Sequence, residues 1–166
     1  TREPVAKNCY FLDGVPRMRQ RPVGQLVEML GQLGGRIAYR GDEGMPPLQV
    51  WGTGLRGGTL TLRPTLSSQY ISALLQVAPC CRSDLTLAFE GPITSRPYVE
   101  MTLRLMRLFG AKSSSDAAMS TVHVPRGGYR GATYDVEPDA SNASYFLAAA
   151  AAVAGSSCTV ESLGTN

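Results

Sequence analysis

The chain has 166 residues, 43% of them hydrophobic and 17% charged, with a formal net charge of +3 at pH 7. That length and apolar content suffice for one packed domain or two small halves, and exclude a chain too polar to fold. The 16 Lys and Arg stand against 13 Asp and Glu with no basic tail, so charge gives no case for a nucleic-acid partner, while small anions fit. The longest apolar run, YFLAAAAAVAG (145–155), is too short to cross a bilayer.

In chain order, the opening TREPVAKNCYF contains no helix or strand that could stand alone. The first helical pattern is RPVGQLVEMLGQLGG (21–35), with Val23, Leu26, Val27, Leu30 and Leu33 on one face and glycines at its end. Three β-patterned runs follow: RIAYRG (36–41), PLQVWG (47–52) and GTLTLRP (58–64). The glycine-rich GTGLRGG between the last two reads as a hairpin connection. A second helix, LSSQYISALLQVAP (66–79), aligns Ile71, Leu74, Leu75 and Ala78 and stops at Pro79. DLTLAFEG (84–91) reads as a strand, and SRPYVEMTLRLMRLFG (95–110) as a third helix with Tyr98, Met101, Leu105 and Leu108 aligned. STVHVPRG (120–127) and ATYDVEP (132–138) read as strands. DASNASYFLAAAAAVAG (139–155) is a helix apolar all round and so expected to be buried, and CTVESLG (158–164) is a last strand.

These elements repeat. Arg21-Pro22 and Arg96-Pro97 open the first and third helices 75 residues apart, and Tyr70 and Tyr145 sit early in the second and fourth at the same spacing. Leu30 and Leu105, Gly35 and Gly110, and Ala73 and Ala148 keep that offset. The unit is helix, three strands, helix, one strand: a cyclic form of βαβαββ. Units used twice in one chain share a core and point equivalent positions at equivalent places. Both chain ends read as cuts, so a portion of something longer is expected.

The polar signatures gather at helix starts: Arg21 before Pro22, Ser67-Ser68-Gln69, Ser95-Arg96-Pro97, and Asp139 to Asn142. A helix N-terminus offers free N–H groups and positive potential to phosphate or carboxylate, and an arginine adds a two-point fork. Singly, each has a plainer reading. Serine and aspartate cap helices, Arg17, Arg19 and Arg21 fit a solvated face, and Tyr98 fits a core position. RGGYRG (126–131) reads as a turn, and Cys80-Cys81 as loop filling. The lone His123 leaves no histidine-based triad, and Cys9, Cys80, Cys81 and Cys158 lack metal-ligand spacing. No metal, no cofactor and a reduced cytoplasmic chain are expected.

Taken as a set, DGVPRMRQRPVGQLVEMLGQLG, SSQYISALL, SRPYVEMTLRLMRLFG and VEPDASNASYFLAAAAAVAG resemble the 5-enolpyruvylshikimate-3-phosphate synthase family, the 3-phosphoshikimate 1-carboxyvinyltransferases. The four motifs keep the family's order and spacing over nearly the whole chain. The resemblance implies an α/β (α+β) enolpyruvyl transferase fold, an inside-out α/β barrel of repeated βαβαββ units with about two repeats present. It implies transfer of the enolpyruvyl group of phosphoenolpyruvate to the 5-hydroxyl of shikimate 3-phosphate with release of phosphate, a step of the shikimate pathway of aromatic amino acid biosynthesis. Ser67, Ser68 and Ser95 would hold the 3-phosphate with help from Tyr98. Gln69 would contact the shikimate ring region and the phosphoenolpyruvate, and Arg21 would clamp the phosphoenolpyruvate. Residues 1–137 would belong to the N-terminal domain and 138–166 would open the second.

The family's lysine-serine motif and NAGT-type segment are missing before residue 1. Its catalytic aspartate and glutamate, with further arginines and a lysine, are missing after Asn166. No catalytic residue is therefore expected within residues 1–166, the chain alone is expected to be inactive, and the remainder of the polypeptide would complete the site. Gln20 and Thr165 stand where charged residues are expected. The alternatives are an enolpyruvyl transferase acting on UDP-N-acetylglucosamine, against which SSQY and SRPY speak, and a non-catalytic anion-binding module on the same fold. No membrane or nucleic-acid partner is implied.

Overall fold

The computed structural model describes residues 8–164, so Thr165 lies outside the described residues. The chain divides into two compact units, Thr1–Gly131 and Ala132–Asn166. In the first, β1 (Cys9–Leu12), a short helix α1 (Pro16–Arg19) and α2 (Gly24–Gln32) precede β2 (Arg36–Tyr39) and β3 (Leu48–Trp51). Then come β4 (Gly58–Leu62), α3 (Ser68–Val77), β5 (Leu85–Phe89), α4 (Arg96–Leu108), β6 (Ser114–Ser115) and β7 (Thr121–Val124). A single 3-10 turn, Ala78–Cys80, carries α3 past the expected stop at Pro79.

The run from β4 to β7 is one complete βαβαββ unit. Its sheet has the order β4-β5-β7-β6, with β4 and β5 parallel and the other pairs antiparallel. Parallel neighbours require a crossover, and α3 supplies it. The preceding run β1-α2-β2-β3 has sheet order β1-β3-β2, the same pattern as β5-β7-β6 in the run β5-α4-β6-β7. The 75-residue offset carries 24–32 of α2 onto 99–107, inside α4. The repeat is thus real in topology: one full unit follows the last four elements of another.

The core lies between the four-stranded sheet and the helices, with Leu60 and Leu62 of β4, Leu85 and Leu87 of β5, and Val122 and Val124 of β7 facing Ile71, Leu74, Leu75 and Ala78 of α3. Met29 and Leu33 bring α2 into the same cluster.

Several expectations are corrected. The first helix begins at Gly24, not at Arg21-Pro22: Val23 donates its N–H to the Gly44 carbonyl at 2.7 Å, and Pro22 turns its carbonyl to Tyr70. GTGLRGG is not a hairpin, because β3 and β4 belong to different sheets. Leu60 and Leu62 gain burial by pairing β4 parallel to β5, and the link passes along the ends of α2 and β5 instead, Arg56 N–H meeting the Leu33 carbonyl and Ser83 N–H the Arg56 carbonyl. On α4 the core face is Val99, Leu103 and Met106, while Tyr98, Met101, Leu105 and Leu108 remain exposed. α4 carries two apolar stripes, and the sheet and α3 take the other one. Residues 9–12 and 114–115, where no strand is expected, pair with β3 and β7.

In the second unit the fourth helix is present as α5 (Ala140–Ala152), opened by Asp139, whose side chain accepts from the Ser141 and Asn142 N–H groups. It is not buried: Ala143 alone among its residues is. Residues 132–138 and 158–164 form no strand. A strand needs a ladder partner and a helix face needs a second layer, and residues 132–164 contain neither.

Candidate functional site

Three helices of the first unit start at one end. Pro22, just before α2, accepts a hydrogen bond from the Tyr70 hydroxyl in the first turn of α3. At the far end, residues 55 and 56 touch both Leu33, after α2, and Arg82 and Ser83, after α3. The two helices therefore run the same way. α4 joins them: Thr94, just before it, donates its hydroxyl to the Pro64 carbonyl in the loop before α3 at 3.0 Å, and Ser72 meets Thr102 at 2.7 Å. Beyond their C-terminal ends, Gly127 and Gly128 donate to the Pro79 carbonyl and Arg130 donates to that of Phe109. The free N–H groups and positive dipole ends of α2, α3 and α4 thus share one face.

All six sequence-predicted residues lie on this face. Ser67 is the N-cap of α3, its Oγ accepting from Gln69 N–H at 3.3 Å. Ser68 is half-buried and Gln69 exposed. Ser95 precedes α4 in the left-handed region, φ 56° and ψ 46°, and its side chain caps nothing. Holding a non-glycine residue there costs about 1 kcal/mol. Tyr98 is 59% exposed, which overturns its core reading and leaves its ring free at the start of α4.

Arg21 is exposed, two residues ahead of the N-cap of α2. Its neighbour Arg19 is engaged: Nε and Nη2 bind the two Asp13 carboxylate oxygens at 2.8 and 2.7 Å. Arg19 and the Gly14 N–H hold the Asp13 carboxyl below the usual carboxylate range, and the pair raises Arg19. Among the described residues Arg21 has no carboxylate partner. The structure thereby separates two arginines that fit a solvated face equally well in the sequence.

Two grooves of this unit lie away from the helix starts. One of about 610 Å³ is lined by Pro79, Cys80, Cys81, Arg82, Arg126 and the 127–128 glycines. Both glycine N–H groups there donate to the Pro79 carbonyl, and each guanidinium gives one N–H to a carbonyl, Arg82 to Thr53 and Arg126 to Arg82. A second, apolar groove of about 470 Å³ runs between α3 and α4 near Tyr129. The candidate anion-binding groups sit at the helix starts. What sequence reasoning missed is the polar linkage among those starts: Tyr70, Ser72 and Thr102. The i, i+4 spacing of Tyr98 and Thr102 is the one signal it offered.

The model of the EPSP synthase (3-phosphoshikimate 1-carboxyvinyltransferase) family matches residues 3–166. The chain belongs to this family. The 3-phosphoshikimate 1-carboxyvinyltransferase of Marinomonas sp. is 40% identical over 163 residues, 98% of this chain and 38% of the relative. That of Trichormus variabilis is 44% identical over 147 residues, 88% of this chain and 34% of the relative. A solved EPSP synthase from Acinetobacter baumannii superposes with a TM-score of 0.74 at 25% identity, covering 96% of this chain and 35% of that one. The chain therefore spans 34–38% of the length of these relatives. Its repeated βαβαββ unit is that of the enolpyruvyl transferase fold. Among its described residues no helix is long and apolar enough to cross a membrane.

Proposed function

We propose that this chain supplies half of a substrate site for transfer of the enolpyruvyl group of phosphoenolpyruvate to the 5-hydroxyl of shikimate 3-phosphate, with release of phosphate. The observation that carries this reading is the gathering of three helix starts, with Arg21, Ser67, Ser68, Gln69, Ser95 and Tyr98, on one face. Both substrates are phosphorylated carboxylates, and that face combines free N–H groups, hydroxyls and a guanidinium. Ser67, Ser68 and Ser95 hold the 3-phosphate, with Tyr98 beside them. Gln69 reaches the shikimate ring region and the phosphoenolpyruvate, and Arg21 clamps the latter. Residues 1–137 belong to the first domain of the complete protein and 138–166 open its second. Free adjacent thiols at Cys80 and Cys81 suit a reducing, cytoplasmic setting.

Arg21→Lys tests the reading, with Arg17→Lys as control, in the full-length protein carrying this chain. Lysine keeps the charge and loses the planar fork. The Arg21 variant is expected to lose phosphoenolpyruvate affinity and turnover by about tenfold or more, as for a charge-assisted hydrogen bond, with its melting temperature unchanged. Small, equal effects at the two positions would refute the clamp. A second expectation is that residues 1–166 alone release no phosphate from the two substrates, since the family resemblance places the groups for proton transfer outside these residues. Turnover by these residues alone in a phosphate-release assay would overturn the assignment of the site.

A further inference from the structure

Bringing three helix N-termini together is electrostatically unfavourable until an anion arrives. Each carries about half a positive charge, and like ends repel. Something other than the ligand must fix their separation, and side chains outside the candidate substrate contacts do so.

The first link joins α2 to α3. Pro22 has no N–H and a φ fixed by its ring. Its carbonyl accepts from the Tyr70 hydroxyl, 48 residues away. Arg21 is one peptide bond away. The same segment is pinned locally by Arg21 N–H on the Met18 carbonyl at 3.2 Å and by Val23 N–H on Gly44. Those bonds shape the segment, and the Tyr70 bond ties it to the helix that carries Ser67, Ser68 and Gln69.

The second link joins α3 to α4. Thr102 donates its hydroxyl to the Tyr98 carbonyl at 2.9 Å. A threonine hydroxyl has one proton, so in the 2.7 Å contact with Ser72 it accepts and Ser72 donates. A directed chain results, Ser72 to Thr102 to the first turn of α4. Ser72 lies one turn, about 6 Å, beyond Ser68, and Thr102 one turn beyond Tyr98. Both hydroxyl residues are half-buried.

We infer that Tyr70, Ser72 and Thr102 are positioning residues: Tyr70 sets Arg21 relative to the start of α3, and the Ser72–Thr102 pair sets Ser95 and Tyr98 relative to Ser67 and Ser68. The inference rests on the substrate roles proposed above and deepens them, because it divides the brace between the two substrates. A group displaced by half an ångström loses much of a charge-assisted hydrogen bond, so a lost brace is read out in binding.

The test uses the full-length protein carrying Tyr70→Phe, Thr102→Val, Thr102→Ser or Ser72→Ala. Dissociation constants for shikimate 3-phosphate come from calorimetry, and KM for phosphoenolpyruvate from assays at saturating shikimate 3-phosphate. Tyr70→Phe is expected to raise the KM for phosphoenolpyruvate about fivefold, within the range of one neutral hydrogen bond, and to move shikimate 3-phosphate affinity less than about twofold. Thr102→Val is expected to show the reverse pattern. Ser72→Ala should match it, and Thr102→Ser should restore binding. A purely structural role would lower melting temperatures and move both substrates alike, or neither, and either result overturns the brace. Arg21→Lys and Ser68→Ala run in the same assays. If they weaken their substrates while Tyr70→Phe and Thr102→Val do not, the brace is wrong and the site stands. If they too have no effect, the site reading falls and the brace falls with it.

Discussion

Ser67 and Ser95 occupy equivalent places before α3 and α4 but differ in backbone and in what their hydroxyls do. Ser67 is extended and spends its Oγ on Gln69 N–H, whereas Ser95 is left-handed and caps nothing. Ser67→Ala is therefore expected to cost about 1 kcal/mol of stability through the lost cap. Ser95→Gly should cost none, because glycine adopts a φ of 56° without the penalty serine carries. If Ser95 donates to a phosphate, the same variant weakens shikimate 3-phosphate binding about tenfold. Urea denaturation and calorimetry on both variants separate the two roles. A Ser95→Gly variant that loses stability and keeps its affinity would reassign this serine to the fold.

At the scale of elements, the parallel pairing of β4 with β5 determines where α3 starts, and it depends on how the chain enters β4. Gly57 has a φ of +88°, and a Cβ there would run into the Ser83 carbonyl oxygen. Gly57→Ala combines an unfavourable backbone conformation with a clash against backbone, and should destabilise by roughly 1–3 kcal/mol. Gly31, inside α2, faces open space, so Gly31→Ala is expected to stabilise by about 0.5–1 kcal/mol. Denaturation midpoints of the pair check both signs, and a neutral Gly57→Ala would mean that the entry to β4 tolerates rearrangement. The reading of α4 failed at this same scale. Tyr98, Met101, Leu105 and Leu108 form as good a stripe in sequence as Val99, Leu103 and Met106, and only the sheet and α3 select between them.

For the whole molecule, burial among the described residues is concentrated in the first unit. Leu85, Leu87, Val122 and Val124 are fully buried, whereas α5 buries Ala143 alone and exposes Tyr145 and Phe146. Amide hydrogen exchange on residues 1–166 is expected to be slowest in β4, β5 and β7 and close to free-chain rates across 132–164. An isolated 13-residue helix is marginal in water even when rich in alanine. Protection in α5 equal to that in β5 would show that residues 132–164 carry more stability than their burial accounts for.

Helices α2 to α5, most of the strands and the 75-residue repeat were legible in the sequence by itself, because periodicity, caps and proline are local properties of the chain, whereas α1 was not, and the six candidate residues rest on the family resemblance. The sequence could not determine the strand pairing of β4, since a glycine-rich link permits a hairpin and a crossover equally, and burial of Leu60 and Leu62 decides the matter at a distance. Nor could the run of charges alone tell Arg21 from Arg19, whereas in the structure Asp13 comes within 2.8 Å of Arg19. That three helix starts share one face, joined through Tyr70, Ser72 and Thr102, was decided by tertiary structure alone. Those bonds span 30 to 48 residues, a separation at which the sequence carries no local signal.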